Sequence, residues 1–378
     1  MTVATALVSG NEPLPQLVEE AVDQALQKAG LTHANGVLLF LTPDFARHAQ
    51  QSVTAAARAA QCTQIAGGIA AGVLTESGWV LDRPAAAVMV FGGGLSLGHP
   101  EAPSAFGEPV LSYTGSTFLP DWGQAGVRFG GSFTGTVGYA DPVAWQQGRL
   151  AEQQRCSVQL LGTHVDIEVS SGLRLLGEAQ WIEGSSGYDL ETLGGLSAQD
   201  SLQRALPPEY RDSPSLPLHH LTAVLIDSGH NAAQTHAAVA AGRCHAVGII
   251  AANADRSLTL AECTHPGQKL AWAIRQPLSA EADMRQSLAR LASRMPDPAC
   301  ALMFSCIGRG PYFYGGEDRD LDALRERFPG LPLLGAYGTG QIAPGAAGEQ
   351  RINRQLQNAV VTALIGKGSK ESHVQSIP

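Results

Sequence analysis

Two stretches at opposite ends of this chain follow one plan, and that repetition constrains the fold more than any other feature. The first opens with a helix at about 14–29, where Leu14, Leu17, Val18, Ala21, Ala25 and Leu26 fall on one face and Gly30 stands at the C-cap position. A buried strand, Val37 to Leu41, comes next. An alanine-rich helix then runs to about Ala60, opened by Asp44 after Pro43. A short strand enters Ile65-Ala66-Gly67-Gly68-Ile69-Ala70-Ala71-Gly72, and another lies at about 85–91. At the far end the order recurs: a helix at about 281–294 with Met284, Leu288 and Leu291 on one face, and a strand from Ala301 to Ser305. A helix bearing Leu321, Leu324 and Phe328 follows, then a strand into Leu334-Gly335-Ala336-Tyr337-Gly338-Thr339-Gly340-Gln341-Ile342, and a last strand at about 359–365. Gly67 and Gly72 have the spacing of Gly335 and Gly340. The pattern predicts a mixed α/β (α+β) protein built of two similar α/β units related by internal duplication.

Between the copies, residues of about 105–200 read as short strands separated by Gly, Ser and Asp, with Cys156 to Gly162 and His164 to Ser170 as neighbours around Gly162. Pro207 to Pro217 holds four prolines in eleven residues, which predicts an exposed linker and a domain boundary. The expected division is 1–206, a linker at 207–217, 218–366, and a disordered polar tail at 367–378.

Composition narrows the function classes. A formal charge of -9 with no Lys/Arg cluster argues against a nucleic-acid surface. Six cysteines without a CxxC pair point to reduced thiols in a cytoplasm. The N-terminus has no basic region leading into a long apolar run, and no stretch reaches the ~18 apolar residues of a membrane span. The 43 glycines are scattered between apolar runs, where they punctuate turns. P-loop, H-E-x-x-H, G-x-S-x-G and EF-hand patterns are missing from the sequence, so no enzyme class, metal or cofactor is called.

Two loops could carry chemistry. In the second copy the strand-to-helix junction runs from Cys306 to Glu317, whereas the first copy has little more than Thr42-Pro43 there. Loops enlarged in one copy of a repeat are where sites are built. Gly308 and Gly310 allow a tight turn with exposed N–H groups, and Arg309 between them offers a planar fork to a carboxylate or phosphate. The competing reading is a plain glycine turn with a solvated arginine and a packed Cys306. The second loop, Gly335 to Gln341, contributes Tyr337, Gly338, Thr339, Gly340 and Gln341, either as a ligand cradle or as a tight bend. The histidines, including His219-His220, read as surface or capping residues.

These loops resemble a known family. FSCIGRG at 304–310 followed by PLLGAYGTGQIAP at 332–344 is similar to the C-terminal signature of FIST proteins, and GGIAAGVL at 67–74 to their N-terminal signature. Val169 to Gly177 resembles the family's serine/glycine turn, and Leu193 to Ala198 its helix entry. On this resemblance, 1–206 is a FIST N-terminal domain and 218–366 a FIST C-terminal one. It implies an intracellular sensory domain that binds a small molecule such as an amino acid and feeds signal transduction; some relatives bind haem. Gln341 stands where the family loop usually has glutamate, which removes a charge. With no output segment recognised, the expected partner is a separate signalling protein, such as a kinase or cyclase, or another copy of the chain. The alternatives are an enzyme using Cys306 as nucleophile and a haem-linked gas sensor.

Overall fold

Gly36–Leu41 and Cys300–Cys306 are buried along their whole lengths, so each needs a covering layer on both faces. Each occupies the middle of a six-stranded sheet. The computed structural model describes residues 2–99, 108–116, 118–124, 126–135, 142–211, 216–226, 229–240, 244–345 and 353–368. The chain divides into one unit of Met1–Glu168 with Leu288–Pro378 and another of Val169–Ser287.

The first unit holds three sheets. The first has the order Thr2–Ser9, Ala85–Gly92, Gly36–Leu41, Ile65–Ile69, Ala144–Gln146, Arg149–Leu150. The second runs Asn353–Leu356, Gly340–Pro344, Arg128–Ser132, Val110–Thr114, Arg155–Leu161, Ser96–Gly98. The third runs Thr163–Ser170, Val360–Lys367, Cys300–Cys306, Leu333–Gly338, Gly72–Thr75, Gly78–Val80. This mixture of helices with parallel and antiparallel strands is the α/β class expected from the sequence.

The two repeated stretches share connectivity and register. Gly36–Leu41 pairs in parallel with Ile65–Ile69 and antiparallel with Ala85–Gly92. Cys300–Cys306 does the same with Leu333–Gly338 and Val360–Lys367. Gly67 lies across from Leu39 and Gly335 across from Met303, the same place in each ladder. A Cβ on Gly67 would stand 1.8 Å from the Leu39 carbonyl oxygen, and one on Gly335 2.4 Å from that of Met303. Both glycines are therefore held by close backbone approach. Gly72 and Gly340 each open the next strand. A duplication is our reading of this likeness.

Several expectations need correcting. Leu14 lies outside its helix, which spans Pro15–Ala29, and is exposed. Asp44 is no N-cap: Pro43–His48 forms a 3-10 turn, and the α-helix begins only at Ala49. Phe45 fills the core from that turn, so the first copy's junction is longer than Thr42-Pro43. Arg155–Leu161 and Thr163–Ser170 are not paired; Gly162, with φ 79°, carries the chain from the second sheet to the third. Gly335 to Gln341 is no loop but two strands in different sheets, joined at Thr339.

In the second unit the strands close into a ring. Leu221–Ile226 pairs with His245–Ala252, then come Leu258–Leu260, Asp189–Leu193, Gln180–Ser186 and Lys269–Arg275, which pairs back to Leu221–Ile226. Every pair is antiparallel, giving a six-stranded barrel. Alternate residues Leu221, Ala223, Leu270, Trp272 and Ile274 point into a core shared with Leu202 and Leu206 of the helical stretch that follows Ser197. The proline-rich segment lies inside this unit. Pro208–Arg211 is a short helix, and Tyr210 and Leu216 pack on the barrel core, so these residues are held as part of the unit; residues 212–215 of the expected linker lie outside the described residues. Of the expected tail, residues 369–378 lie outside the described residues, and Lys367 still belongs to a strand. Among the described residues, no helix is long and apolar enough to cross a membrane.

Candidate functional site

Cys306 ends the central strand of the third sheet, and two 3-10 turns, Ile307–Arg309 and Pro311–Tyr314, lead to the helix Arg319–Arg327. Arg309 turns inward. Its Nε donates to Asp320 Oδ2 and its Nη2 to Asp320 Oδ1, both at 2.9 Å, and the two side chains are only 2% and 0% exposed. The Tyr314 hydroxyl donates to Asp320 Oδ2 at 3.0 Å. Burial alone would lower the guanidinium's pKa, but the Asp320 charge and its hydrogen bonds carry it above its ordinary value. The expectation of an exposed fork awaiting an anion is corrected here: Asp320 fills it in bidentate geometry.

Beside this pair, Asp318 caps the helix. Its Oδ1 accepts from the backbone N–H of Asp320 (3.1 Å) and Leu321 (2.9 Å), and its Oδ2 accepts a short hydrogen bond from the Tyr337 hydroxyl. Burial, with the neighbouring Asp320 charge, pushes the Asp318 carboxyl up to about 6, partly opposed by the Tyr337 bond. Burial, then the Asp318 charge, raises the Tyr337 phenol well above its usual range. Tyr337 is thus spoken for within the protein. Cys306 is 5% exposed, with Sγ 3.8 Å from Asn358 Oδ1, a packed thiol beneath the turn. Gly308 is exposed, while the Gly310 N–H closes the turn onto the Ile307 carbonyl at 3.2 Å.

The glycines around Thr339 serve a close chain crossing. A Cβ on Gly338 would meet the Ser132 carbonyl oxygen at 2.2 Å, and one on Gly340 would meet Gln355 Nε2 at 2.1 Å. The Thr339 N–H donates to Ser132 O at 2.8 Å, and its hydroxyl accepts from the Thr134 N–H at 3.1 Å. These groups, expected to face a ligand, are engaged by the strand Arg128–Ser132 and the residues after it.

Gln341 differs from all of them. It is 1% exposed, and among the described residues neither Nε2 nor Oε1 has a hydrogen-bond partner. Gln341 pairs with Gly131, and Gly131 with Tyr113, so all three share a face of the second sheet. A Cβ on Gly131 would stand 3.0 Å from the Phe304 ring and 3.4 Å from that of Tyr113. Gln341 therefore leaves the sheet on the side where these rings lie. There Phe40, Tyr113 and Phe304 form a cluster with centroids 5.0, 5.8 and 6.4 Å apart. An amide buried in such surroundings without partners costs free energy.

Of the nine expected residues, the structure gathers Arg309 and Tyr337 into one buried network and leaves Gln341 alone with unmet hydrogen-bonding capacity. Sequence reasoning missed Asp318, Asp320 and Tyr314. Asp318 directly before Arg319-Asp320-Leu321 is an N-cap signal, and that would have found it. Gly131 and Tyr113 carry no local signal, because they reach the site only through sheet pairing. Among the described residues, no group of three His, Cys, Asp or Glu side chains could hold a metal ion.

Residues 198–344 match the FIST C domain. That is a family associated with sensory signalling, and the matched FIST C segment contains both the Arg309 network and Gln341. The N-terminal FIST segment was not detected by such a match. Similar curated proteins include uncharacterized proteins of Mycobacterium bovis and Mycobacterium tuberculosis strain CDC 1551, each 29% identical over 178 residues, 47% of this chain and 45% of theirs. Another uncharacterized protein, from Mycobacterium tuberculosis strain H37Rv, is 27% identical over 191 residues, 50% of this chain and 49% of its own. The chain spans about half the length of the curated relatives it matches.

Proposed function

We propose that this protein is a cytoplasmic sensory module that binds a small polar metabolite, an amino acid or a relative of one, at Gln341 and passes the signal to a partner protein without turning the ligand over. The observation that carries this reading is the Gln341 amide, 1% exposed and without a partner among the described residues, in the segment that matches the FIST C domain. Buried polar side chains in folded proteins have partners as a rule, so an orphaned amide beside aromatic walls fits a site completed by ligand. The cysteine-enzyme alternative draws no support from Cys306, whose thiol is packed against Asn358.

The test is a thermal-shift screen of amino acids and related metabolites against the wild type and Gln341→Leu. A ligand that binds only the folded state raises its stability as RT ln(1 + [L]/Kd). The expected result is at least one compound that shifts the wild type and not the variant. Equal shifts in both proteins would remove Gln341 from the site.

A further inference from the structure

We infer that the ligand group recognised by Gln341 is a neutral carboxamide carried on a flat or apolar body. The inference rests on the reading that Gln341 lines a ligand site, and it specifies what that site selects. A glutamine amide presents an acceptor oxygen and an NH2 donor side by side in one plane. The group that meets both at once is a second amide, whose own N–H and C=O face them in an antiparallel pair.

The two charged alternatives fit less well. A carboxylate has only acceptors, so it satisfies the Nε2 donor and sets a negative charge against Oε1. Burying that charge calls for a cation. Arg309, the cation expected there from the sequence, has its Nε and Nη2 on Asp320 at 2.9 Å, and buried Arg128 donates to Ser112 and Ser157. An ammonium has only donors and calls for a buried anion, and this chain has an uncharged amide at the position. The body of the ligand would lie beside apolar side chains. Phe304, Ala336 and Val73 stand in one row of the third sheet and are all buried, and the Phe304 ring covers Gly131 next to Gln341.

The experiment titrates the full chain calorimetrically with two matched series that differ only in head group: acetamide, acetate and acetamidinium, then benzamide, benzoate and benzamidinium. The wild type should bind at least one carboxamide about tenfold or more tightly than its carboxylate and amidinium analogues, since each mismatch leaves a buried amide atom unpaired. Gln341→Glu should reverse the order toward the amidinium, and Gln341→Met should lose the carboxamide while keeping its circular dichroism spectrum. A carboxylate or amidinium that binds the wild type as tightly as its carboxamide overturns the neutral-head inference, even where the metabolite screen supports a site at Gln341. Failure of all six compounds, with a Gln341-dependent hit in that screen, overturns the carboxamide assignment alone. Failure in both experiments overturns the site with it.

Discussion

Gln341→Met tests the central claim without any ligand. Methionine is close to glutamine in length and has no strong hydrogen-bonding group, so the change removes two orphaned atoms and leaves the packing volume nearly intact. Mutational data place the cost of burying an uncompensated polar group at roughly 1–3 kcal/mol. Relief of that cost should stabilise the ligand-free first unit by about the same amount. A gain of this kind raises Tm by about 2–4 °C per kcal/mol for a unit of this general size. Differential scanning calorimetry is the assay, with Gln341→Leu as a second apolar replacement. The barrel of Val169–Ser287, which does not contain the residue, serves as an internal reference if it melts separately. Two melting temperatures at or below the wild-type value would refute the reasoning, because they would show that the amide is already satisfied in the free protein.

Arg309→Ala should destabilise by roughly 3–5 kcal/mol, since it strands the Asp320 carboxylate in the interior; Arg309→Leu with Asp320→Leu should recover much of that in urea unfolding. Burial and the neighbouring Asp320 charge push the Asp318 carboxyl up to about 6, above the ordinary carboxyl range, so its neutral form favours folding. That contribution, on the order of 3 kcal/mol, is complete below about pH 4 and is lost as pH rises through about 6. Asp318→Asn should flatten stability between pH 4 and 7 relative to wild type, as read by denaturant titration at each pH, and an unchanged slope would count against it. Gly67→Ala and Gly335→Ala should each destabilise by more than 1 kcal/mol through collision with the partner strand's carbonyl, and a neutral result at either would break the equivalence of the two positions. A Soret band in freshly purified protein would add haem to the account; its absence is the expected result.

Local pattern carried the sequence reading wherever the deciding forces were local. The helix ending at Gly30 and the buried strands around Leu39 and Met303 were legible because apolar periodicity and a left-handed cap are written in neighbouring residues. The α/β class followed from them. Arg309 was misread because its fate depends on Asp320, eleven residues along and across two turns. A guanidinium between two glycines looks free only until the chain folds back over it. The proline-rich stretch was misread for a related reason: Tyr210 and Leu216 find a barrel core whose strands lie on both sides of them in sequence. Gln341 was picked out as a position, yet its isolation could not be read locally, because Gly131 and Tyr113 reach it through strand pairing over more than 200 residues.

The third sheet also sets a timetable. Gly72–Thr75 pairs with Leu333–Gly338, so the partner of this early strand is made about 260 residues later. At ordinary synthesis rates of about 5–20 residues per second, that strand, paired on one side with Gly78–Val80, waits roughly 13–50 s with its other hydrogen-bonding edge open. The barrel, by contrast, is complete once Ser287 has left the ribosome, while the first unit still lacks its C-terminal strands. An early strand with so distant a partner is a natural client for a ribosome-associated chaperone. Messages truncated before codon 333 should yield products that fold their barrel and aggregate through the rest.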